Sequence, residues 1–399
     1  MQNVRRSVLL VVENLPVPYD RRVWQEALAL SAAGYRVSVL SPATPHFPKR
    51  AETIEGIAIF RYPMLIEGET PLGIIAEYLW SFVCIFFGSI YIALRRGFRI
   101  LHLANPPDIF FPIAFFWRIL GKKIVFDHHD LTPELFVTKF GERRLPLLRF
   151  FYFAERMTFR AAHKVICTNE SYREIALGRG RRRPEDVAVV RNAPDAARFR
   201  RLPPEPGLKQ GAKYLVTFLG EIGEQDGVDV LVRALKRMRL RLGDGAVHCA
   251  ILGGGPFFDR LIRYAADEGV ADMMTFTGRA DNETICRFLS STDVAVDPCP
   301  YSPHADVSTA TKIMEYMFFE LPIVAFDLTE TRRSAGAAAI YAGRNDEADF
   351  ADRIIDLLNA AERRHSLGAA ARSRLDADLA WSNSVKVLTA TMDGLAAAR

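Results

Sequence analysis

An α/β protein of two doubly wound parallel-sheet domains is what this sequence predicts. Three observations carry the expectation. Short apolar runs alternate with helix-length stretches along the chain, the pattern breaks at a proline-rich link (RLPPEPG, residues 201–207) before restarting, and 399 residues suffice for two domains. With 49% hydrophobic and 25% charged residues, the chain has the composition of a protein with large cores, which excludes a disordered one.

Taken in order, residues 7–12 read as a buried first strand and residues 20–33 as the helix after it. Strands follow at 35–40 and 57–62, then at 99–103 and 123–127 with a helix at 112–120 between them. A strand at 164–168, an arginine-rich loop at 179–183 and a strand at 187–191 complete the first round. The second round has strands at 214–219, 247–252, 274–277, 294–297 and 323–326, with helices between them. The last segment, LAWSNSVKVLTATMDGLAAAR, reads as an amphipathic helix, so the expected domains are 1–200 and 201–378, with a closing helix at 379–399. In sheets of this kind ligands sit at the carboxyl ends of the strands, and a cleft where the two domains face each other is the expected site.

Several classes are excluded. The five cysteines (Cys84, Cys167, Cys249, Cys286, Cys299) are scattered and show no CxxC spacing, which argues against a disulfide framework or zinc site and for a reducing compartment. The first strand is followed by ENLPVPYDRR rather than GxGxxG, and GxxxxGK[ST] is absent from the sequence, so neither a dinucleotide oxidoreductase nor a P-loop enzyme is expected. The opening MQNVRRSVLLVVEN has an apolar run too short for a signal peptide, and a cytoplasmic location is expected. The net charge of +5 is uneven: residues 1–200 carry 29 Lys+Arg against 19 Asp+Glu, and the remainder 23 against 28. No nucleic-acid-binding motif accompanies the basic half, so an anionic membrane surface is the better partner. That half also holds residues 78–94 (YLWSFVCIFFGSIYIAL), uncharged and followed by Arg95, Arg96 and Arg99. A core helix, a helix lying in the membrane interface and a membrane span are all open readings of it. Residues 145–164 mix aromatic and basic side chains in a similar way.

The richest stretch for chemistry is residues 298–327, PCPYSPHADVSTATKIMEYMFFELPIVAFD. A helix is expected to begin near Ser308, with Asp306, Ser308, Thr309 and Thr311 around its start, and to end before Pro322. Lys312 and Glu315 are three apart and share a face. Backbone N–H groups with a lysine suit a phosphate, and a carboxylate one turn on could accept two hydrogen bonds from a ribose diol. An ordinary capped amphipathic helix is the plain alternative. Gly253, Gly254 and Gly255 follow a strand and precede a helix, where glycine permits close backbone approach to a ligand. Asp20, Arg21 and Arg22 open the first helix; two arginines oppose the helix dipole there and point to an anionic ligand, such as an acceptor phosphate.

Five segments in order resemble glycosyltransferase family 4, the retaining enzymes of GT-B fold, in the type that builds bacterial cell-surface polysaccharides. They are PYDRRVWQEALALSAAGYRVSVLSP (18–42), HLANPPD (102–108), FDHHDLTPELF (126–136), FLGEIGEQDGVDVLVRAL (218–235) and FTGRADNETICRFLSSTDVAVDP (276–298), and the resemblance covers nearly the whole chain. It implies two Rossmann-like domains facing across a cleft, the last helix crossing back onto the first domain. Glu315 matches the glutamate that holds the nucleotide ribose, and His129 the histidine beside the transferred sugar. The resemblance makes Lys312 and His129 the catalytic candidates. The donor-side candidates are Gly220, Gln225, Gly253 and Gly254, and Ser308, Thr309, Thr311 and Arg279 are expected, with Lys312, to substitute for a phosphate clamp that the family pattern would supply elsewhere. Asp20, Arg21, Arg22 and Glu134 become acceptor-side candidates. The sequence departs from the pattern in three places. Val307 stands where many members have the first glutamate of an E-x7-E pair, and Glu221 and Asp226 stand where an arginine and a lysine usually grip the donor pyrophosphate.

The implied function is metal-independent, cofactor-free transfer of a sugar from a nucleotide-diphosphate donor, with UDP the expected base. The acceptor would be polyprenyl-diphosphate-linked or another surface glycan, reached from the inner face of the cytoplasmic membrane. The leaving diphosphate can take the acceptor proton, so the protein's task is to stabilise charge and position both partners. A non-catalytic nucleotide-sugar-binding scaffold and a GT-B epimerase are the alternatives.

Overall fold

The computed structural model describes residues 6–64, 71–140, 145–194 and 198–398. The chain divides into two compact units, Met1–Asn192 with Ser382–Arg399, and Ala193–Trp381.

The N-terminal unit is built on β1 (Ser7–Val11), β2 (Arg36–Ala43), β3 (Ala51–Ile54), β4 (Ile57–Pro63), β5 (Ile100–Ala104), β6 (Lys123–His128), β7 (Lys164–Cys167) and β8 (Val187–Val189). They form one sheet in the order β3-β4-β2-β1-β5-β6-β7-β8. Every pairing is parallel except β3 with β4. Central strands of such a sheet are covered on both faces, and all residues of β1 (SVLLV) are buried accordingly. The covering helices are α1 (Arg21–Ala32), α2 (Pro71–Arg95), α3 (Phe111–Ile119), α4 (Thr132–Phe140), α5 (Leu145–Ala161) and α6 (Glu170–Gly178). One cluster (Leu9, Ile85, Leu101, Ile113 and Trp117 among others) packs α2 and α3 onto the sheet.

The C-terminal unit holds β9 (Tyr214–Leu219), β10 (Val247–Leu252), β11 (Met274–Phe276), β12 (Val294–Asp297), β13 (Ile323–Phe326) and β14 (Ala339–Ala342). This second sheet is parallel throughout, in the order β11-β10-β9-β12-β13-β14. Its helices are α7 (Val228–Leu242), α8 (Phe258–Asp267), α9 (Asn282–Ser291), α10 (Pro303–Val307), α11 (Thr311–Phe318), α12 (Thr329–Ala335), α13 (Glu347–Leu358) and α14 (Ala361–Arg374). Separate apolar clusters lie on its two faces, one including Leu231, Leu235 and Ile354, the other Leu289, Met314 and Met317. Both sheets are doubly wound. The strand order reverses between β1 and β5 in one and between β9 and β12 in the other, and these are the points where such folds open toward a ligand.

The closing helix α15 (Trp381–Ala397) is part of the N-terminal unit. Leu388 and Met392 are fully buried, and Asp393 accepts from Arg6 Nη2 at 2.9 Å and Tyr35 Oη at 2.6 Å.

Four details differ from the sequence reading. First, the boundary falls at Asn192 rather than residue 200, because the link is stitched to the C-terminal unit. Leu202 N donates to Ser290 Oγ and Glu205 N to Ser291 Oγ, both at 2.9 Å, while Arg287 makes a two-pronged pair with Glu205. Second, β3 was not foreseen. It pairs with β4 through a two-residue turn in which Glu55 (φ +50°) and Gly56 (φ +79°) are both left-handed. Third, β14 extends the second sheet by a strand. Fourth, the helix expected near Ser308 is two helices. Ser302 caps α10, with Pro303 next; Ser308 and Ala310 are extended, and α11 starts afresh at Thr311.

The helix α2 has two faces: Ser81, Ile85, Ser89 and Ile92 are fully buried against the core, while the opposite face is open. Leu79, Val83, Phe87, Tyr91 and Leu94 form a solvent-facing stripe, with Phe87 63% and Leu94 83% exposed. The stretch Ile75–Arg95 is long and apolar enough to cross a membrane.

Candidate active site

In the C-terminal unit, three loops at the carboxyl ends of β9, β10 and β11 are laced together by backbone bonds. Gly220 N donates to Leu252 O, Ile222 N to Gly254 O, Gly253 N to Gly278 O and Phe257 N to Ile222 O, all within 2.9–3.2 Å. The lacing explains the glycines. Gly253 sits at φ +140°, and a Cβ there would collide with the carbonyl of Gly220; one at Gly255 would collide with Ile222. The result is a glycine-lined cradle of closely packed main chain beside the reversal point of the sheet.

Lys312, in the first turn of α11, reaches into this cradle. Its Nζ lies 3.1 Å from where a Cβ on Gly220 would be and 4.3 Å from the centre of the Phe218 ring. It is 3.3 Å from Asp297 Oδ1 and 3.9 Å from Asp226 Oδ1. Burial opposes the ammonium charge, but Asp297 and then Asp226 outweigh it and hold the group above its ordinary value. Burial raises Asp226 above the usual carboxylate range, although Lys312 pulls the other way. Asp226 also accepts from Gly223 N at 3.0 Å. The N-cap residue of α11, Ala310, makes no side-chain cap bond, so the helix start beside the lysine lacks that cap. Glu315 follows one turn on, half-buried. Gln225 is exposed and packs over Gly223, and Arg279 is exposed with its Cγ 3.2 Å from a would-be Cβ on Gly254.

Not every expected donor residue lies where the sequence placed it. Ser308 and Thr309 stand in the break between α10 and α11, half-buried, and Thr311 is exposed at N1. Asp306, for which no donor role was expected, points elsewhere: its carboxylate accepts from Thr329 N and Oγ1 at 2.8 and 2.9 Å and pairs with Arg344.

In the N-terminal unit, a buried ionic cluster lies under the carboxyl ends of β5 and β6. Arg22 clamps Asp127 through two bonds, Nε to Oδ2 at 2.9 Å and Nη2 to Oδ1 at 2.7 Å. Its Nη1 donates to Val190 O and Asn192 Oδ1, and Glu26 lies 3.2 Å away. His102 Nε2 is 3.3 Å from Glu26. His129 Nδ1 is 3.0 Å from Asp127 Oδ2. Burial disfavours the His129 cation, yet Asp127 overrides it and pushes the imidazole up to about 9. Burial and the Asp127 charge push Glu26 up to about 7. Carboxylate and imidazole atoms of Glu26, His102 and Asp127 converge within 4.8 Å, a spacing a cation could use, but the Arg22 guanidinium already supplies the positive charge there.

Two of the acceptor-side expectations, Asp20 and Arg22, are corrected here. Asp20 is the N-cap of α1, accepting from Val23 N at 2.9 Å, and it is buried. Arg22 is buried with its donors committed to internal oxygens, so the dipole argument for an anionic ligand fails: the anion is Asp127. Glu134 is paired with Arg179 at 2.5 Å. Arg21 is exposed. Asn105, unassigned in the sequence, holds the turn that carries His129: its Oδ1 accepts from His129 N at 2.9 Å and Asp130 N at 3.0 Å, and its Nδ2 donates to Asp108 and Asp130 O. The HLANPPD segment flagged the place but not this job.

Residues 20–198 match the family model described as Glycosyltransferase Family 4, and residues 213–360 match the one described as Glycosyl transferases group 1. This chain belongs to the family 4 glycosyltransferases. It is 30% identical over 221 residues to a GDP-mannose-dependent alpha-(1-6)-phosphatidylinositol monomannoside mannosyltransferase of Mycobacterium tuberculosis, a match spanning 54% of this chain and 56% of that protein. A phosphatidyl-myo-inositol mannosyltransferase of Mycolicibacterium smegmatis is 26% identical over 375 residues, spanning 91% of this chain and 86% of that one. Among solved structures, sucrose-phosphate synthase of Thermosynechococcus elongatus superposes with a TM-score of 0.76 at 15% identity, covering 99% of this chain and all of that one, a likeness of fold. The fold is therefore GT-B. The reversal point of the second sheet is where folds of this kind open toward a ligand. The glycine cradle with Lys312 is the arrangement found there.

Proposed function

We propose that this glycosyltransferase moves a mannosyl unit, with retention, from GDP-mannose to a lipid-linked acceptor at the inner face of the cytoplasmic membrane. The observation that carries the donor half is Lys312 projecting among the glycine-lined loops, in the first turn of α11, whose N-cap Ala310 makes no side-chain cap bond. Developing charge on a leaving diphosphate would meet a fixed cation and helix amides already in place, without a metal ion or other cofactor. Glu315 would bind the ribose. The sequence alone favoured UDP. The sequence relatives' printed names support guanosine instead, and they weigh more than fold likenesses at 15% identity. Retention is supported by family membership.

The names of the same relatives, phosphatidylinositol mannosyltransferases, support a lipid acceptor. So does the α2 stripe, joined by exposed Ile119 and Leu120 at the end of α3 and by exposed Phe150, Tyr152 and Phe153 on α5. Arg95, Arg96, Arg118 and Arg149 flank these apolar side chains, the mixture that seats a protein on an anionic bilayer.

Calorimetry of the purified protein against GDP, UDP, ADP, GDP-mannose and UDP-glucose tests the donor. GDP and GDP-mannose are expected to bind, stabilising the fold by ~2.7 kcal/mol at about a hundredfold their Kd. Glu315→Ala is expected to abolish that response. Selective binding of a uridine nucleotide would overturn the choice of base, and silence toward every nucleotide would overturn the donor site itself.

A further inference from the structure

His129 has two ring nitrogens, and the structure fixes what each can do. Asp127 is fully buried and both its oxygens are engaged by Arg22, so the carboxylate cannot turn. Arg22 is itself anchored by Val190 O and Asn192. Its charge, ahead of that of His129, overrides the burial penalty and keeps Asp127 well below the usual carboxylate range. An ionised carboxylate only accepts hydrogen bonds, so the proton between Asp127 Oδ2 and His129 sits on Nδ1. That leaves Nε2 for a ligand, on a side chain that keeps 12% exposure.

Whether Nε2 carries a proton depends on the charges around the ring. Asp127 and Asp130 face it from the end of β6, Asp20 and Glu26 from α1, and Arg22 is the opposing cation. His102 from β5 stands behind Glu26 and Asp127. The acidic groups outnumber the cation.

We propose that Asp127, clamped by Arg22, is a positioning residue that locks the His129 ring with Nδ1–H toward the carboxylate and presents Nε2–H outward, committing His129 to act as a cationic hydrogen-bond donor and not as a base. The inference deepens the proposed transfer reaction and rests on His129 belonging to its site. An imidazolium there would donate to an oxygen of the transferred sugar or the leaving phosphate, where negative charge grows. No acceptor proton would pass to it.

The test is an NMR titration of the full-length protein labelled with 15N-histidine, His129 being assigned by its loss in His129→Gln. Both ring nitrogens are expected to read as protonated through neutrality, with a midpoint near pH 9 and an Nδ1–H tautomer above it. Asp127→Asn is expected to move that midpoint down by about two units, toward the ordinary value of about 6.5. The falling alkaline limb of kcat against pH should move with it, measured with the donor that calorimetry selects. A wild-type midpoint near the ordinary value, or a neutral Nε2–H tautomer, overturns the proposal whether or not Asp127→Asn folds. An unmoved midpoint in folded Asp127→Asn overturns it as well. The site reading fails separately if His129→Gln transfers sugar at the wild-type rate.

Discussion

Around Lys312 two carboxylates share one ammonium, and that imbalance governs how substitutions there should behave. Asp297 is 1% exposed, so removing the lysine leaves a buried charge with no partner and lowers stability as well as binding. Lys312→Met is therefore expected to lower kcat by ~10²–10³ and to depress Tm. Adding Asp297→Asn should recover most of the Tm and none of the rate, a contrast that a purely structural lysine would not give. Asp226→Asn is expected to act in the opposite direction. It keeps the acceptor for Gly223 N while deleting a negative charge 3.9 Å from Lys312, so calorimetry should show donor binding tightened several-fold, up to ~tenfold. Weaker binding in Asp226→Asn would mean that the carboxylate itself touches the donor. Glu221 and Asp226 were legible in the sequence as departures from the cationic pattern. That Asp226 and Asp297 bracket Lys312 was not, because a turn, a strand end and a helix start far apart in sequence bring them together.

Tyr316 shows how one helix sets the geometry of the cradle. Its hydroxyl accepts from Leu219 N at 2.8 Å and donates to Val296 O at 3.1 Å, pinning α11 to the ends of both β9 and β12. Tyr316→Phe would leave a buried N–H unpaired, at about 1–3 kcal/mol. Chemical denaturation should show that loss together with weaker donor binding; a stability loss with unchanged binding would make Tyr316 a core residue only. On the N-terminal unit, Phe87→Asp in α2 should abolish sedimentation with anionic vesicles while leaving Tm unchanged, since Phe87 is 63% exposed. At this scale most elements could be read from hydrophobic alternation, because buried parallel strands are nearly continuous apolar runs. The failures have local causes. The sheet-edge strand β3 alternates with polar residues and turns on Glu-Gly rather than Asn-Gly, so it lacked both usual signals. The α10–α11 break follows from Ser302 and Pro303 opening a helix five residues long, which hydrophobic periodicity cannot register.

Over the whole molecule, buried ionisable groups give stability a definite pH slope. Glu13 accepts from Ser81 Oγ at 2.8 Å beneath α2, and burial pushes its carboxyl up from 4.5 to about 7. A carboxyl raised on folding binds more protons folded than unfolded between those values, so stability falls as pH rises through them. His129, raised from 6.5 to about 9, acts in the same sense: its stabilisation is complete below 6.5 and gone above about 9. Asp127 works the other way, but only in acid, as its stabilisation is lost when pH falls through a folded value far below 3.8. Melting curves at constant ionic strength should therefore give a Tm highest on the acid side of neutrality and declining toward about pH 9. A Tm rising over that range would contradict the assigned protonation states. None of this slope was legible in the sequence, because it depends on which acids the fold buries and on which partners it brings to them.

The cradle of Gly220, Gly253 and Gly255 presents main chain to whatever it holds, and main chain is indifferent to which nucleoside hangs from a diphosphate. Divergence of donor preference would then leave these three positions frozen by collision while drift proceeds around them. A laboratory search for a variant with a new donor should randomise the exposed rim, Glu221, Gln225 and Arg279, and leave the glycines untouched.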